Sequence, residues 1–206
     1  KVSKGIGFNP ESKLEGIKLL SELNMPTVKL LDIRQILEGK EPLKEGISVR
    51  LSPKSKLVKW NVGLPSINRR TNLDEIREFV EQYQSQYIVF AHKSVIPESI
   101  GTLSKLENCL AIETYKSYED KHDEIIDNRI VVPMLGDKMH ISHMEMLRED
   151  EQDFKNFRKV LMHLKGIPFS QYEMEYVIEN GDVVFMDFTV ANNREYQVYK
   201  ELNEGR

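Results

Sequence analysis

QYEMEYVIENGDVVFMDFT, Gln171 to Thr189, reads as two short apolar runs around Asn180-Gly181, the strongest short-range signal for a β-hairpin. Its first run carries Glu173 and Glu175 at alternate positions, so the two carboxylates share a face of the strand. The second run places Asp187 between Met186 and Phe188. Turn length sets the face of Asp187. A two-residue loop pairs Glu179 with Asp182 and Glu175 with Met186, sending Asp187 to the opposite face. A three-residue loop with a bulge at Gly181 pairs Glu173 with Asp187, and all three carboxylates line one surface. Like charges that close are unfavourable unless a cation sits among them. The same pattern also describes a solvated acidic face on an antiparallel sheet.

Outward from the hairpin, secondary-structure signals alternate irregularly. Asn9-Pro10-Glu11 opens a helix with Leu14, Ile17 and Leu20 on its apolar side, and Thr27–Leu31 follows as a strand. Asp32 caps a short helix. Ile47–Leu51 and Lys56–Trp60 read as strands, and Asn61–Arg70 as a mobile loop holding Gly63, Pro65 and the pair Arg69-Arg70. A helix from Asn72 buries Ile76, Phe79, Val80 and Tyr83, and Tyr87–Val95 is strand-like. Thr102–Leu106 with Cys109–Tyr115, and Arg129–Leu135 with Lys138–His143, form candidate hairpins around an exposed, charged Ser117–Asp127. Glu149–Lys165 is the strongest helix, with Phe154, Phe157, Val160 and Leu161 on one face and Gly166 as its stop. The tail after Arg194 is polar. The expected class is α+β, with an N-terminal lobe over 1–85 and a C-terminal lobe over 86–206.

Composition narrows the function classes. The chain has 206 residues, 30% of them charged, and a formal net charge of −4, which disfavours nucleic acid as a main partner. Lys54, Lys56, Lys59, Trp60, Arg69 and Arg70 form the one basic cluster that could bind it. A single cysteine, Cys109, excludes an internal disulfide framework and any cysteine-rich zinc site. No apolar run approaches the roughly 20 residues that span a bilayer, so no membrane partner is expected and the cytoplasm is the expected compartment.

Four segments, in order, carry a family resemblance. SKGIGFNPESKLEGIKLLSELNMPTVKLLDI (3–33) is similar to the opening of the ATP-binding domain of the pyruvate phosphate dikinase and phosphoenolpyruvate synthase family. GISVRLSP (46–53) resembles that family's strand ending in Val-Arg-Ser-Ser, and YIVFAHKSVIPESIGTLSKL (87–106) its Val-Gln-x-Met-Val strand. EMEYVIENGDVVFMDFT (173–189) resembles its closing hairpin, in which a Glu-aromatic pair precedes a metal and nucleotide ligand by about twelve residues, the spacing of Glu175 and Asp187. The resemblance implies an ATP-grasp fold, two α+β lobes with mixed and antiparallel sheets that hold ATP and Mg2+. It implies nucleotide contacts from Lys4, Arg50, Ile88, Ala91, Glu175 and Asp187. Magnesium ligation falls to Glu175, Asp187 and Asn192, and transition-state charge to Arg50, Arg69 and Arg70.

The residue types suit those roles. Lys4 beside Gly5 and Gly7 can approach phosphate oxygens, Arg50 offers a two-pronged fork, and carboxylates are ordinary magnesium ligands. Departures are equally plain. The family's closing Gln-x-Arg-Pro is Asp187-Phe188-Thr189-Val190 here, leaving Arg194 as a substitute for the missing arginine, and only Ser52 remains of the serine pair. No counterpart of the family's phosphohistidine domain or barrel is expected within these 206 residues. MHISHMEM (139–146) is similar to the phosphohistidine motif without its glycines, and His140 and His143 read as strand-surface residues on opposite sides. The expected function is phosphoryl transfer from Mg-ATP, by a phosphotransferase (a kinase-like, phosphoenolpyruvate synthase-like activity) or a ligase. Its acceptor would be a separate protein or a small molecule. The alternative is a non-catalytic nucleotide-binding or protein-interaction module with a partly degenerate site.

Overall fold

A computed structural model describes residues 10, 12–54, 64–135 and 138–203. They form an α+β chain that divides into two compact units. Lys4, the Lys56–Trp60 strand and the Gly136-Asp137 turn lie outside the described residues.

The smaller unit holds Val28–Ile96 and the first residues of helix α1 (Lys13–Glu22). Strands β1 (Leu30–Leu31), β2 (Ile47–Pro53), β3 (Ile67–Arg70) and β4 (Tyr87–Lys93) form an antiparallel sheet in the order β1-β4-β2-β3. Helices α2 (Ile33–Leu37) and α3 (Leu73–Tyr83) share a core with Ile47, Val49, Leu51 and Ala91. Asn72 caps α3 by accepting the Asp74 N–H at 2.9 Å, so the predicted helix start is real. Ile76 is fully buried there, worth about 1.5–3 kcal/mol of transfer free energy.

Three expectations change in this unit. Ile67–Arg70 is strand rather than loop, because β2 offers it a pairing edge. Of Thr27–Leu31 only Leu30 and Leu31 pair with β4, while Thr27 belongs to the larger unit and makes an isolated parallel bridge to Phe185 there. The boundary between units falls at Ile96/Pro97 rather than 85/86, because β4 pairs with β2 along its whole length.

The larger unit joins Gly16–Thr27 to the chain from Pro97 onward. Its strands are β5 (Ser99–Lys105), β6 (Cys109–Tyr115), β7 (Asn128–Leu135), β8 (Lys138–Met139), β9 (Glu145–Met146), β10 (Tyr172–Glu179) and β11 (Asp182–Val190). They form one antiparallel sheet in the order β11-β10-β5-β6-β7-β8, with β9 also on β7. Helices α4 (Tyr118–His122), α5 (Glu151–His163) and α6 (Asn193–Asn203) complete it. One face is apolar: Leu103, Ile112, Met174, Tyr176, Phe185 and Phe188 pack in one core with Leu19 and Leu20 of α1 and Phe157 and Val160 of α5. Gly101 belongs to that face because Tyr176 is its cross-strand partner. A Cβ on Gly101 would lie 2.2 Å from Cζ of that tyrosine, whose side chain is itself buried at 1% exposure.

Two expectations change here. The polar tail after Arg194 is helical: Asn192 caps α6 through the N–H groups of Arg194 (3.0 Å) and Glu195 (3.3 Å), and Tyr196 and Tyr199 lie on Phe169. Lys138–His143 is strand only at Lys138–Met139. A single 3-10 turn over Ile141–His143 follows and brings the His140 and His143 rings to 6.2 Å, where a strand would have separated them.

Candidate functional site

The β10–β11 hairpin combines features of both sequence alternatives. Its loop has two residues, Asn180 (φ 51°) and Gly181 (φ 76°), and pairs Glu179 with Asp182. Both φ values are positive, as a type I′ turn requires. That register alone would turn Asp187 away from Glu175. The pairing then shifts: Tyr176 faces Phe185, but Glu175 faces Asp187, so Met186 is the extra residue of a bulge. The bulge returns Asp187 to the face of Glu175 and Glu173.

On that face the register draws a row across five strands. Asp187 pairs with Glu175, Glu175 with Thr102, Thr102 with Glu113, and Glu113 with Arg129. Alternation puts this row opposite the apolar core, and Glu173 and Ser104 stand beside it. Lys121 of α4 reaches in from the segment expected to be merely exposed, its Nζ 2.6 Å from Glu175 Oε2, both side chains mostly buried. At the far end Arg129 Nε donates to Glu113 Oε1 at 2.8 Å and Tyr115 OH to Glu113 Oε2 at 2.9 Å. Asp187 Oδ1 accepts the Phe188 N–H at 2.9 Å, and helix α1 passes so close that a Cβ on Gly16 would lie 2.8 Å from the same oxygen.

The electrostatics follow from this crowding. Four carboxylates (Glu113, Glu173, Glu175, Asp187) face two cations, Lys121 and Arg129. Glu173 is held above the usual carboxylate range, first by partial desolvation and then by Asp187, Glu113 and Glu175, with Lys121 opposing. Burial raises the Tyr115 hydroxyl as well, keeping it a donor. Excess negative charge beside partly desolvated oxygens suits a divalent cation. Among the described residues no three His, Cys, Asp or Glu side chains converge as a complete metal site. Glu175 and Asp187 are a cross-strand carboxylate pair on that face and are not by themselves a complete ligand set.

Asn192 does not join them, since its carboxamide oxygen is engaged by the start of α6. Arg194 is exposed on the first turn of that helix.

In the smaller unit Ser48, Arg50 and Ser52 of β2 pair with His92, Phe90 and Ile88 of β4, on the sheet face opposite α2 and α3. Arg50 sits at the middle of this face, Nη1 3.4 Å from Ser66 Oγ and its Nε buried without a hydrogen-bond partner among the described residues. His92 Nδ1 lies 2.7 Å from the Lys93 carbonyl, which can only accept, so Nδ1 carries the proton and Nε2 is a buried acceptor without a hydrogen-bond partner among the described residues. Ile88 is 42% exposed on this face, whereas Ala91 points into the core and is fully buried. Ala91 is therefore a packing residue, and Phe90 is the apolar neighbour that Ile88 shares a face with. Arg69 (φ 55°) is the bulged residue of β3, its N–H donating to Ser94 Oγ at 3.1 Å, and its side chain is exposed. Arg70 pairs with Glu75 at 3.1 Å.

Sequence reading missed Lys121, Glu113, Arg129 and Thr102. Thr102, Glu113 and Arg129 have no local mark and enter through cross-strand register, whereas Lys121 had one signal, as a lysine on a short capped helix.

No family model matches the sequence, and no curated protein does. Solved structures do match. N5-carboxyaminoimidazole synthetase from Staphylococcus aureus aligns over 89% of this chain with 14% identity and a TM-score of 0.50. ACD1 of Ca. Korarchaeum cryptofilum, solved with coenzyme A, aligns over 86% with 8% identity and a TM-score of 0.53. The fold is ATP-grasp. At these identities the likeness carries the ATP-grasp fold alone, and the narrower dikinase and synthase resemblance is not part of what it carries. The chain spans about half the length of the first structures it matches, 45% of the synthetase, and 90% of the ACD1 chain.

Proposed function

We propose that this chain is a Mg-ATP-binding ATP-grasp unit serving ATP-dependent ligation, in which the γ-phosphoryl group passes to a carboxylate oxygen. ADP leaves, and the resulting acyl phosphate loses inorganic phosphate when a nucleophile attacks the acyl carbon. The observation that carries the reading is the bulge that sets Asp187 directly against Glu175 on the open face of the sheet. These two carboxylates are assigned to magnesium, which neutralises charge on the transferring phosphoryl. Lys121, already on Glu175, is assigned to a phosphate oxygen once the metal takes its place. Arg50 and the exposed Ile88 are assigned to phosphate and to the base, respectively. Carboxylate activation is preferred to the phosphoenolpyruvate synthase-like transfer because the matched structure is by name the synthetase of a carboxyamino compound and the closing arginine of the dikinase motif is Thr189 here.

A second reading, a nucleotide-binding module without catalysis, draws on the Lys121–Glu175 ion pair, which fills a ligand position with an ammonium. Calorimetric titration of ATP with and without Mg2+, on the wild type and on Asp187→Asn, tests the assignment. Micromolar, magnesium-dependent binding is expected. Asp187→Asn should weaken Mg-ATP binding by about tenfold or more, as losses around metal sites do, while leaving metal-free ATP binding within a factor of about two. Equal losses in both would make Asp187 a structural carboxylate, and no binding at millimolar ATP would sink the function. Phosphate release on adding candidate carboxylates and amines separates the ligase from the silent module.

A further inference from the structure

The two histidines of MHISHMEM (139–146) have no part in the nucleotide site, and the larger unit holds them as a strand would not. The segment is fastened at both ends to one strand, β7. Before the turn Met139 pairs with Met134; after it Glu145 and Met146 pair with Val131 and Ile130. The His140 N–H donates to the Pro133 carbonyl at 3.0 Å, and the Leu147 N–H to the Arg129 carbonyl at 2.8 Å. Between these anchors runs the single 3-10 turn, closed by the His143 N–H on the His140 carbonyl at 2.9 Å. Side chains three residues apart in such a turn eclipse one another. Both imidazoles therefore leave on one side, with ring centroids 6.2 Å apart. Two imidazoles that share one ion, each nitrogen about 2.0–2.1 Å from it, have centroids about 4.5–6.5 Å apart.

The ring nitrogens add a second, independent observation. His140 Nε2 is buried without a hydrogen-bond partner among the described residues, a cost that calls for a partner the chain itself does not supply. His143 is exposed, its Nδ1 3.1 Å from Ser142 Oγ. With Nδ1 donating to that hydroxyl, Nε2 keeps its lone pair, and a hydrogen bond of this kind is what orients a metal-bound imidazole. Among the described residues no further His, Cys, Asp or Glu converges with the pair. Soft thioethers adjoin it in sequence, Met139 before and Met144 after. Imidazole nitrogens without a carboxylate suit a late first-row transition ion rather than magnesium or calcium, and copper binds most strongly in that series.

We infer that His140 and His143 form a two-imidazole chelate for a late transition-metal cation of the copper class, with water completing the coordination. The pair shares no side chain with the Asp187–Arg129 row, so it stands or falls independently of the nucleotide reading. The probe is Cu2+, titrated calorimetrically into the full chain with glycine present to suppress weak surface sites. Electron paramagnetic resonance of the bound ion counts its imidazole nitrogens. One equivalent of micromolar binding is expected, with couplings from two imidazoles and no displacement by millimolar Mg2+. His143→Gln, at an exposed position, should keep the wild-type unfolding midpoint and lose about a hundredfold in affinity, as when a two-point attachment becomes a one-point one. One imidazole coupling should remain in that variant. His122→Gln, which removes an exposed histidine elsewhere in the same unit, should change neither affinity nor couplings. Coupling from a single imidazole in the wild type overturns the chelate without recourse to any variant. Undiminished binding in His143→Gln, an equal loss in His122→Gln, or absence of one tight equivalent reduces the metal to an adventitious ion and overturns the site.

Discussion

His92 shows how one residue links burial, charge and pH. Its pKa is lowered from 6.5 to about 4, chiefly by desolvation; the hydrogen bond to the Lys93 carbonyl opposes this, and the positive charges of Arg50 and Lys13 add to it. The unfolded chain therefore binds a proton near pH 5 that the folded imidazole refuses. Stability contributed by this site is complete above pH 6.5, falls as the pH drops from 6.5 through 4, and levels off below, a span of roughly 3 kcal/mol. Urea unfolding between pH 7 and 4 should show that slope, and His92→Gln should flatten it. An unchanged slope in the variant would assign the acid sensitivity to other groups. Arg50 beside it carries a different expectation. Replacing its planar fork with an ammonium, Arg50→Lys, should weaken nucleotide binding about tenfold while leaving the unfolding midpoint nearly unmoved, because its contact to Ser66 is long. Unchanged affinity would remove Arg50 from the site.

At the scale of elements, the hairpin at the closing edge of the large sheet is the instructive case. Its existence and its turn were legible in Asn180-Gly181 and the alternating runs, since both turn residues tolerate positive φ. The bulge was not. Nothing about Met186 distinguishes it from a regular strand residue, and the shift is a property of two strands pairing rather than of either sequence. The same limit explains Glu113, Arg129 and Lys121, whose relevance depends on which strand lies beside which. Gly101 and Tyr176 test how rigid that pairing is. Gly101→Ala should destabilise the protein by about 3 kcal/mol or more, since the added methyl must displace a fully buried ring. A denaturant midpoint shifted by less than about 0.5 kcal/mol-equivalent would mean that the ring has somewhere to go. Tyr176→Leu in the same chain should recover part of the loss, which a merely strained backbone at Gly101 would not allow.

For the molecule as a whole, the α+β class was legible because amphipathic helices such as α3 and α5 and alternating strands carry their periods openly. The division into units was less so. A boundary at 85/86 seemed natural after a helix, yet β4 is bound by register to β2, with residues 54–86 intervening. The reach of α1 was hidden more deeply. The segment leaving it hydrogen-bonds to β11, with Phe185 N–H donating to the Pro26 carbonyl and Thr27 Oγ1 to the Phe185 carbonyl at 2.8 Å, partners 158 residues apart in the second case. A ribosome adding about 5–20 residues per second needs on the order of ten to thirty seconds to cover that interval. The smaller unit's four strands have all been made before the larger sheet is begun. Through that time the apolar side of α1, including Leu19 and Leu20, waits for a sheet whose closing strand, β11, begins only at Asp182. The apolar side of α1 is thus made well before the strands that bury it.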